Sequence, residues 1–209
     1  MEKKLEYINH LQKSFDDAEL KISNIDDFVR NIEGMTGIKT RHLYNNIVGI
    51  PDARYLEIGT WKGSSVCAAM MNNQAKVLCV DNWSQFSGPK DEFLSNFDQC
   101  KGKNDASFME IDCFQIDVNN IGKYNIYMYD GIHSSEAHYR ALSHFIDCLD
   151  DVFIFIIDDW NWGDVREGTL NAIKDLNLKV LWNREIFTPI PEAANHDWWN
   201  GVSVFLLEK

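Results

Sequence analysis

Tyr55-Leu56-Glu57-Ile58-Gly59-Thr60-Trp61-Lys62-Gly63-Ser64-Ser65 is the stretch on which the fold turns. A short apolar run ends at Gly59, a second glycine follows at Gly63, and the helix-forming segment SSVCAAMM begins at Ser64. Glycines in such a turn let the backbone approach a ligand closely, and the helix that follows presents unpaired N–H groups at the positive end of its dipole. Alone, the pattern serves tight packing as readily as ligand binding.

Outward from this turn, four more compact apolar runs alternate with helical segments. With RYLEIG they are KVLCVD, ASFMEID, YNIYMYD and VFIFIID. Unbroken apolarity in IYMY and VFIFII predicts strands covered on both faces, hence a parallel sheet with crossover helices. Those helices are expected over SSVCAAMM, DEFLSNFDQC, weakly near FQIDVNNI, then EAHYRALSHFIDCL and VREGTLNAIKDLN. In the tail, KVLWNREIFTPI and GVSVFLLEK are joined by PEAANHDWWN, too short a link to need a helix, so the two should pair antiparallel. The expected fold is α/β and doubly wound, with a seven-stranded, mostly parallel sheet, an antiparallel C-terminal hairpin and helices on both faces. Residues 1–209 read as one domain and residues 1–50 as an N-terminal helical extension, with helical spacing at Leu5, Ile8, Leu11 and Phe15, at Ile25, Phe28, Val29 and Ile32, and at Leu43, Ile47 and Val48.

Composition narrows the functional classes. The chain has 209 residues, 45% of them hydrophobic, enough for one sizeable core. Its net charge of −12 argues against a nucleic-acid backbone as partner, because that binding rests on clustered Lys and Arg. A small-molecule acceptor is the better expectation. No apolar run is long enough to cross a bilayer and the start lacks the apolar stretch of a signal peptide, which favours the cytoplasm and no membrane partner. Five widely spaced cysteines suggest buried thiols, not disulfides or a zinc site.

Asp81 ends the second apolar run about twenty residues past the glycine turn, where an acid in a fold of this kind accepts hydrogen bonds from ribose hydroxyls. The G-x-G-x-x-G spacing of a nicotinamide dehydrogenase is missing. Through E-I-G-T-W-K-G-S-S at 57–65 and C-V-D-N-W at 79–83 the sequence resembles the class I S-adenosylmethionine methyltransferases, whose fold is Rossmann-like. The resemblance covers roughly residues 35 to 209 and implies that Glu57 and Gly59 line the methionine end of S-adenosylmethionine. It also implies that Gly63 and Ser64 shape the turn, that Asp81 holds the ribose, and that Asp112 and Cys113 meet adenine. Lys62 departs from the pattern, since many members carry a small residue there beside a third glycine.

On the other side of the crevice, the fourth run ends in Asp130-Gly131-Ile132-His133-Ser134 and the fifth in Asp158-Asp159. Ligands in open parallel sheets lie beyond the carboxyl ends of the strands, so these groups should converge beside the glycine turn. Clustered like charges call for a cation, a shared proton or good hydration. All-oxygen donors suit Mg²⁺, and capping of the strand end suits the same acids. The arrangement resembles the metal-dependent O-methyltransferases of the catechol and macrocin types, and D-G-x-H-S recurs in uncharacterised relatives. That resemblance implies Asp130, Asp158 and Asp159 as Mg²⁺ ligands, with Asp130 and His133 as catalytic groups and His133 as the base that takes the acceptor's proton. A hydrogen-bonding structural role suits His133 as well.

The reaction so implied is O-methylation of a small hydroxylated acceptor such as a sugar. N-methylation without metal and a catalytically silent S-adenosylmethionine-binding partner subunit are the alternatives. Trp160, Trp162, Arg166, Trp182, Trp198 and Trp199 lie where they can wall the acceptor pocket, form a lid, or meet a second copy in a homodimer. The segment around Met35 and Thr36 is placed to close over the cofactor.

Overall fold

The computed structural model describes residues 2–189 and 196–209. Seven strands, β1 (Arg54–Ile58), β2 (Lys76–Asp81), β3 (Asp105–Glu110), β4 (Tyr124–Tyr129), β5 (Leu149–Asp158), β6 (Lys179–Ile186) and β7 (Val202–Glu208), form one sheet in the order β3-β2-β1-β4-β5-β7-β6. β1 to β5 are parallel, and β7 inserts antiparallel between β5 and β6. The expected doubly wound sheet with its C-terminal hairpin is therefore present. Of the linking segment PEAANHDWWN, residues 191–195 lie outside the described residues.

Seven helices flank the sheet among the described residues: α1 (Glu2–Glu19), α2 (Asp27–Asn31), α3 (Ile38–Val48), α4 (Ser64–Met70), α5 (Lys90–Cys100), α6 (Ser135–Phe145) and α7 (Gly163–Asp175). The weak helix near 114–121 is instead two single 3₁₀ turns, Cys113–Gln115 and Val118–Asn120. Ile116, Val118 and Ile121 meet the core without a helix between them, and Asp112 and Asp117 cap short turns with their side chains.

Strand parity sorts the core into two layers. Tyr55, Val77, Cys79, Ile126, Met128, Ile154 and Ile156 face one side and pack with α1 to α5. Leu56, Leu78, Val80, Tyr127, Tyr129, Phe155 and Ile157 face the other and pack with α6 and α7. Because both faces are covered, the central runs 126–129 of β4 and 152–157 of β5 are apolar without a break. The N-terminal helices belong to the first layer: Tyr7, Leu11, Phe15 and Ala18 are buried in it, and Phe15 contacts Trp182 and Trp198. Every residue of α4 is buried. Its Ser, Ala and Cys side chains are small enough for the helix to lie between α3, α5 and the sheet.

No helix among the described residues is long and apolar enough to cross a membrane. The strand order reverses between β1 and β4, and a crevice opens at that switch point beyond the strand ends.

Candidate active site

The crevice is a cavity of about 780 Å³, within the range of small-molecule sites. One half is walled by Gly59, Thr60, Trp61, Ser64, Asp81, Trp83, Asp112 and Cys113, the other by Asp130, His133, Asp159, Trp162, Trp199 and Asn200. Met35 and Thr36 reach its edge, as expected for the segment before α3.

The glycine turn is built on two left-handed residues, Gly59 at φ +86° and Gly63 at φ +85°. Gly59 lies against the Asp130 carbonyl, with no room for a side chain, so the ends of β1 and β4 sit together at the floor of the cavity. Gly63 caps α4. Asp81 accepts hydrogen bonds from the backbone N–H of Thr60 at 2.9 Å, Trp61 at 2.8 Å and Trp83 at 2.7 Å. Asp112 caps the first 3₁₀ turn by accepting from Phe114 N–H at 2.9 Å, and Arg140 lies over the Phe114 ring at the same end of the cavity.

Glu57 is not among the lining residues. Its parity with Tyr55 turns it beneath the turn, fully buried, where Tyr55 and Ser65 donate hydroxyl hydrogen bonds to its two oxygens. Burial pushes its carboxyl up from an ordinary 4.5 to about 8, against the pull of those two hydroxyls, with the charges of Asp130 and Asp81 adding to the rise. The unfolded chain ionises Glu57 near 4.5, whereas the folded chain keeps the proton until about pH 8. Raising the pH through that window therefore favours unfolding, by something on the order of a few kcal/mol when complete. Glu57→Gln should keep the fold and flatten the decline. Denaturant midpoints at pH 5 and pH 8 check this; an unchanged slope would remove Glu57 as the cause.

On the acceptor side three of the four groups expected to converge, Asp130, His133 and Asp159, come together. One ligand atom each of Asp130, His133 and Asp159 lies within 4.8 Å of the others. His133 Nε2 is 3.0 Å from Asp159 Oδ2 and 3.5 Å from Asp130 Oδ1. Asp158 stands behind them. It follows Ile154 and Ile156 in strand parity, so it turns under α3, accepts a hydrogen bond from Tyr44 Oη at 3.1 Å, and accepts the Asp159 N–H at 2.9 Å. It is not among the three groups whose ligand atoms gather, and its hydrogen bond supports Asp159.

Asp159 itself is left-handed at φ +55°, a conformation Asp tolerates better than most residues. It is held there by Asp158 and by Asn200 Nδ2, which donates to its Oδ1 at 2.7 Å.

Electrostatics resolve the crowding. Burial, then the charges of Asp130 and Asp159, push the Asp158 carboxyl well above the usual carboxylate range. Burial alone would lower His133, but the hydrogen bond to Asp130 and the charges of Asp130 and Asp159 outweigh it and raise the imidazole above its ordinary value. Trp162 meets His133 edge-on at 5.1 Å, and Ser134 of the D-G-I-H-S motif caps α6 by accepting Ala137 N–H.

Three supporting residues carry no signal in the sequence. Buried Arg41 donates to the carbonyls of Val29, Ile32 and Thr36 and so fixes the segment leading to Met35 and Thr36. Tyr44 and Asn200 act from distant parts of the chain, and only the fold brings them to the two aspartates.

Comparison with known proteins identifies the family and matches the fold. The sequence profile of the methyltransferase-domain family matches residues 56–160, half of the chain. Among solved structures the chain resembles TrmN from Thermus thermophilus, with a TM-score of 0.61 and 12% identity over 88% of this chain and 52% of that one. It also resembles a candidate O-methyltransferase from Klebsiella pneumoniae, with a TM-score of 0.56 and 12% identity over 95% of this chain and 90% of that one. A candidate RNA methyltransferase from Pyrococcus horikoshii gives a TM-score of 0.59 and 15% identity over 95% and 97%. At such identities the likeness is one of fold, and the chain spans about half the length of TrmN. No curated protein matches.

Proposed function

The chain belongs to the methyltransferase-domain family of S-adenosylmethionine-dependent enzymes, and from that premise we propose that it methylates an oxygen of a small hydroxylated acceptor, a sugar or similar metabolite. The observation that carries this reading is the convergence of Asp130, His133 and Asp159 across the cavity from the glycine turn.

S-adenosylmethionine, when bound, supplies a methyl on a sulfonium that leaves as a neutral thioether without acid help. The backbone of Gly59 to Trp61 and Ser64 would hold its methionine end, Asp81 its ribose, and Asp112 with Cys113 its adenine. The protein's remaining tasks are to aim the acceptor oxygen at the methyl and to remove its proton. As the O–CH₃ bond forms and the S–CH₃ bond breaks, the acceptor proton passes to the His133 imidazole, and the positive charge gained there is balanced by Asp130 and Asp159.

Asp130 and Asp159 also suit a hard divalent cation, with Asp158 behind Asp159 as its support. Such a cation would lower the pKa of the acceptor hydroxyl. Chelation should then reduce turnover at least about tenfold, with recovery on added Mg²⁺, as expected when hydroxyl activation is shared with a metal. Turnover indifferent to chelation would favour an amine acceptor, and no turnover against a broad acceptor panel would favour a silent partner subunit.

Two features support a small acceptor over a polyanion. Asp130, Glu136 and Asp159 face the acceptor half, and the chain's net charge is −12. The exposed indole of Trp162 at the cavity edge offers the flat apolar surface on which a sugar or aryl ring packs.

A further inference from the structure

The sequence assigns both ribose hydroxyls to Asp81. Its hydrogen bonds in the folded chain leave less capacity than that. A carboxylate has about four acceptor sites, and three backbone donors already use Asp81: Thr60 and Trp61 on Oδ2, Trp83 on Oδ1. The first two belong to the turn after β1, the third to the loop after β2, so one side chain joins the two loops that wall the cofactor half of the cavity.

Two further bonds cross the same seam in opposite directions. Trp83 Nε1 donates to the Trp61 carbonyl at 2.9 Å, and Trp61 Nε1 donates to the Phe86 carbonyl at 3.2 Å. Trp61 and Trp83 are both left-handed, at φ +43° and +46°, and Phe86 and Ser87 are left-handed as well, at +48° and +68°. Bulky residues in that region persist only where their surroundings over-determine them. Here the determinants are the Asp81 carboxylate and the packing of the Trp83 ring on Phe93 and Phe108.

We propose that Asp81 is first a positioning residue, whose carboxylate clasps the glycine turn to the Trp83 loop before any ligand arrives and keeps one acceptor site, not two, for a ribose hydroxyl. The second hydroxyl then depends on a neighbour. Asn82 lines the same cavity, and its Oδ1 already accepts from Ser84, so its amide nitrogen is the group left to donate to a hydroxyl oxygen. The ribose part rests on the cofactor reading above; the clasp does not.

The test compares wild-type protein with Asp81→Asn in two measurements. In ligand-free protein, amide exchange at Thr60, Trp61 and Trp83 should accelerate roughly tenfold or more in the variant, the loss expected for hydrogen bonds to a charged acceptor. In calorimetry with S-adenosylhomocysteine and its 2′-deoxy and 3′-deoxy forms, the variant should bind more weakly. The penalty for removing one hydroxyl should largely vanish in the variant while the penalty for the other persists.

Unchanged exchange in the ligand-free variant overturns the clasp. Loss of both hydroxyl penalties in the variant overturns the single-site assignment and restores Asp81 as the sole ribose acceptor. If folded wild-type protein binds none of the three ligands, the cofactor reading fails and the ribose part falls with it, while the exchange data still decide the clasp. Should Asp81→Asn fail to fold, ligand-free wild-type protein decides the clasp: slow exchange at Thr60, Trp61 and Trp83 N–H supports it, and exchange at the rate of open loop amides overturns it.

Discussion

Gly59→Ala should destabilise the protein by about 2–5 kcal/mol and abolish cofactor binding, the sum of a left-handed backbone penalty and an overpacked contact. At φ +86° an L side chain is strained in any surroundings, and here there is also no space. An added Cβ would lie 1.9 Å from the Asp130 carbonyl oxygen and 2.6 Å from its carbon. Neither neighbour can retreat cheaply, because Gly59 N–H is bonded to the Val80 carbonyl and Asp130 N–H to the Ile58 carbonyl. Relief must come from parting β1 from β4 at the switch point, which moves Asp130 and the turn together. Gly63→Ala is the control. It shares the left-handed φ, but its nearest neighbour would be the Phe93 ring at 3.2 Å, so the loss should stay near 1–2 kcal/mol. Denaturant unfolding of both variants checks the contrast; equal stability of Gly59→Ala and wild type would refute the packing described at the cavity floor.

His133→Ala is expected to lower kcat by roughly a hundredfold to ten-thousandfold, the usual worth of a positioned general base, while leaving affinity for S-adenosylhomocysteine nearly unchanged. The separation follows from geometry. His133 faces Asp130, Asp159 and Trp162 on the acceptor half, whereas the glycine turn, Asp81 and Asp112 line the other. Removing the imidazole also takes away the group that sits between Asp130 and Asp159, so part of the loss is electrostatic. Steady-state kinetics beside calorimetry read the two effects apart. A variant with undiminished kcat would leave His133 as a structural hydrogen-bonding residue.

Strands and helices were legible because each apolar run and each helical stripe is bounded by a clear change of period. RYLEI, KVLCVD and YNIYMY became β1, β2 and β4 with their ends where the glycine turn, Asp81 and Asp130 required them. The converging loops were legible too, since strand order and the carboxyl-end rule place them. What escaped was which of two neighbouring acids faces the cavity. Strand parity held the answer: Glu57 shares a face with Tyr55, and Asp158 with Ile154 and Ile156, the face that α3 and α4 cover. Asp159 escapes that alternation only by turning left-handed, a local conformation that no periodicity announces. Arg41, Tyr44 and Asn200 were invisible for a different reason, since their partners are fixed by tertiary packing alone.

The central claim, an S-adenosylmethionine site formed by the glycine turn and Asp81, is tested most directly by calorimetric titration of the purified protein with S-adenosylhomocysteine. Saturable one-site binding with a micromolar Kd, about −8 kcal/mol, is the expected result. Absence of binding by protein shown to be folded would contradict it.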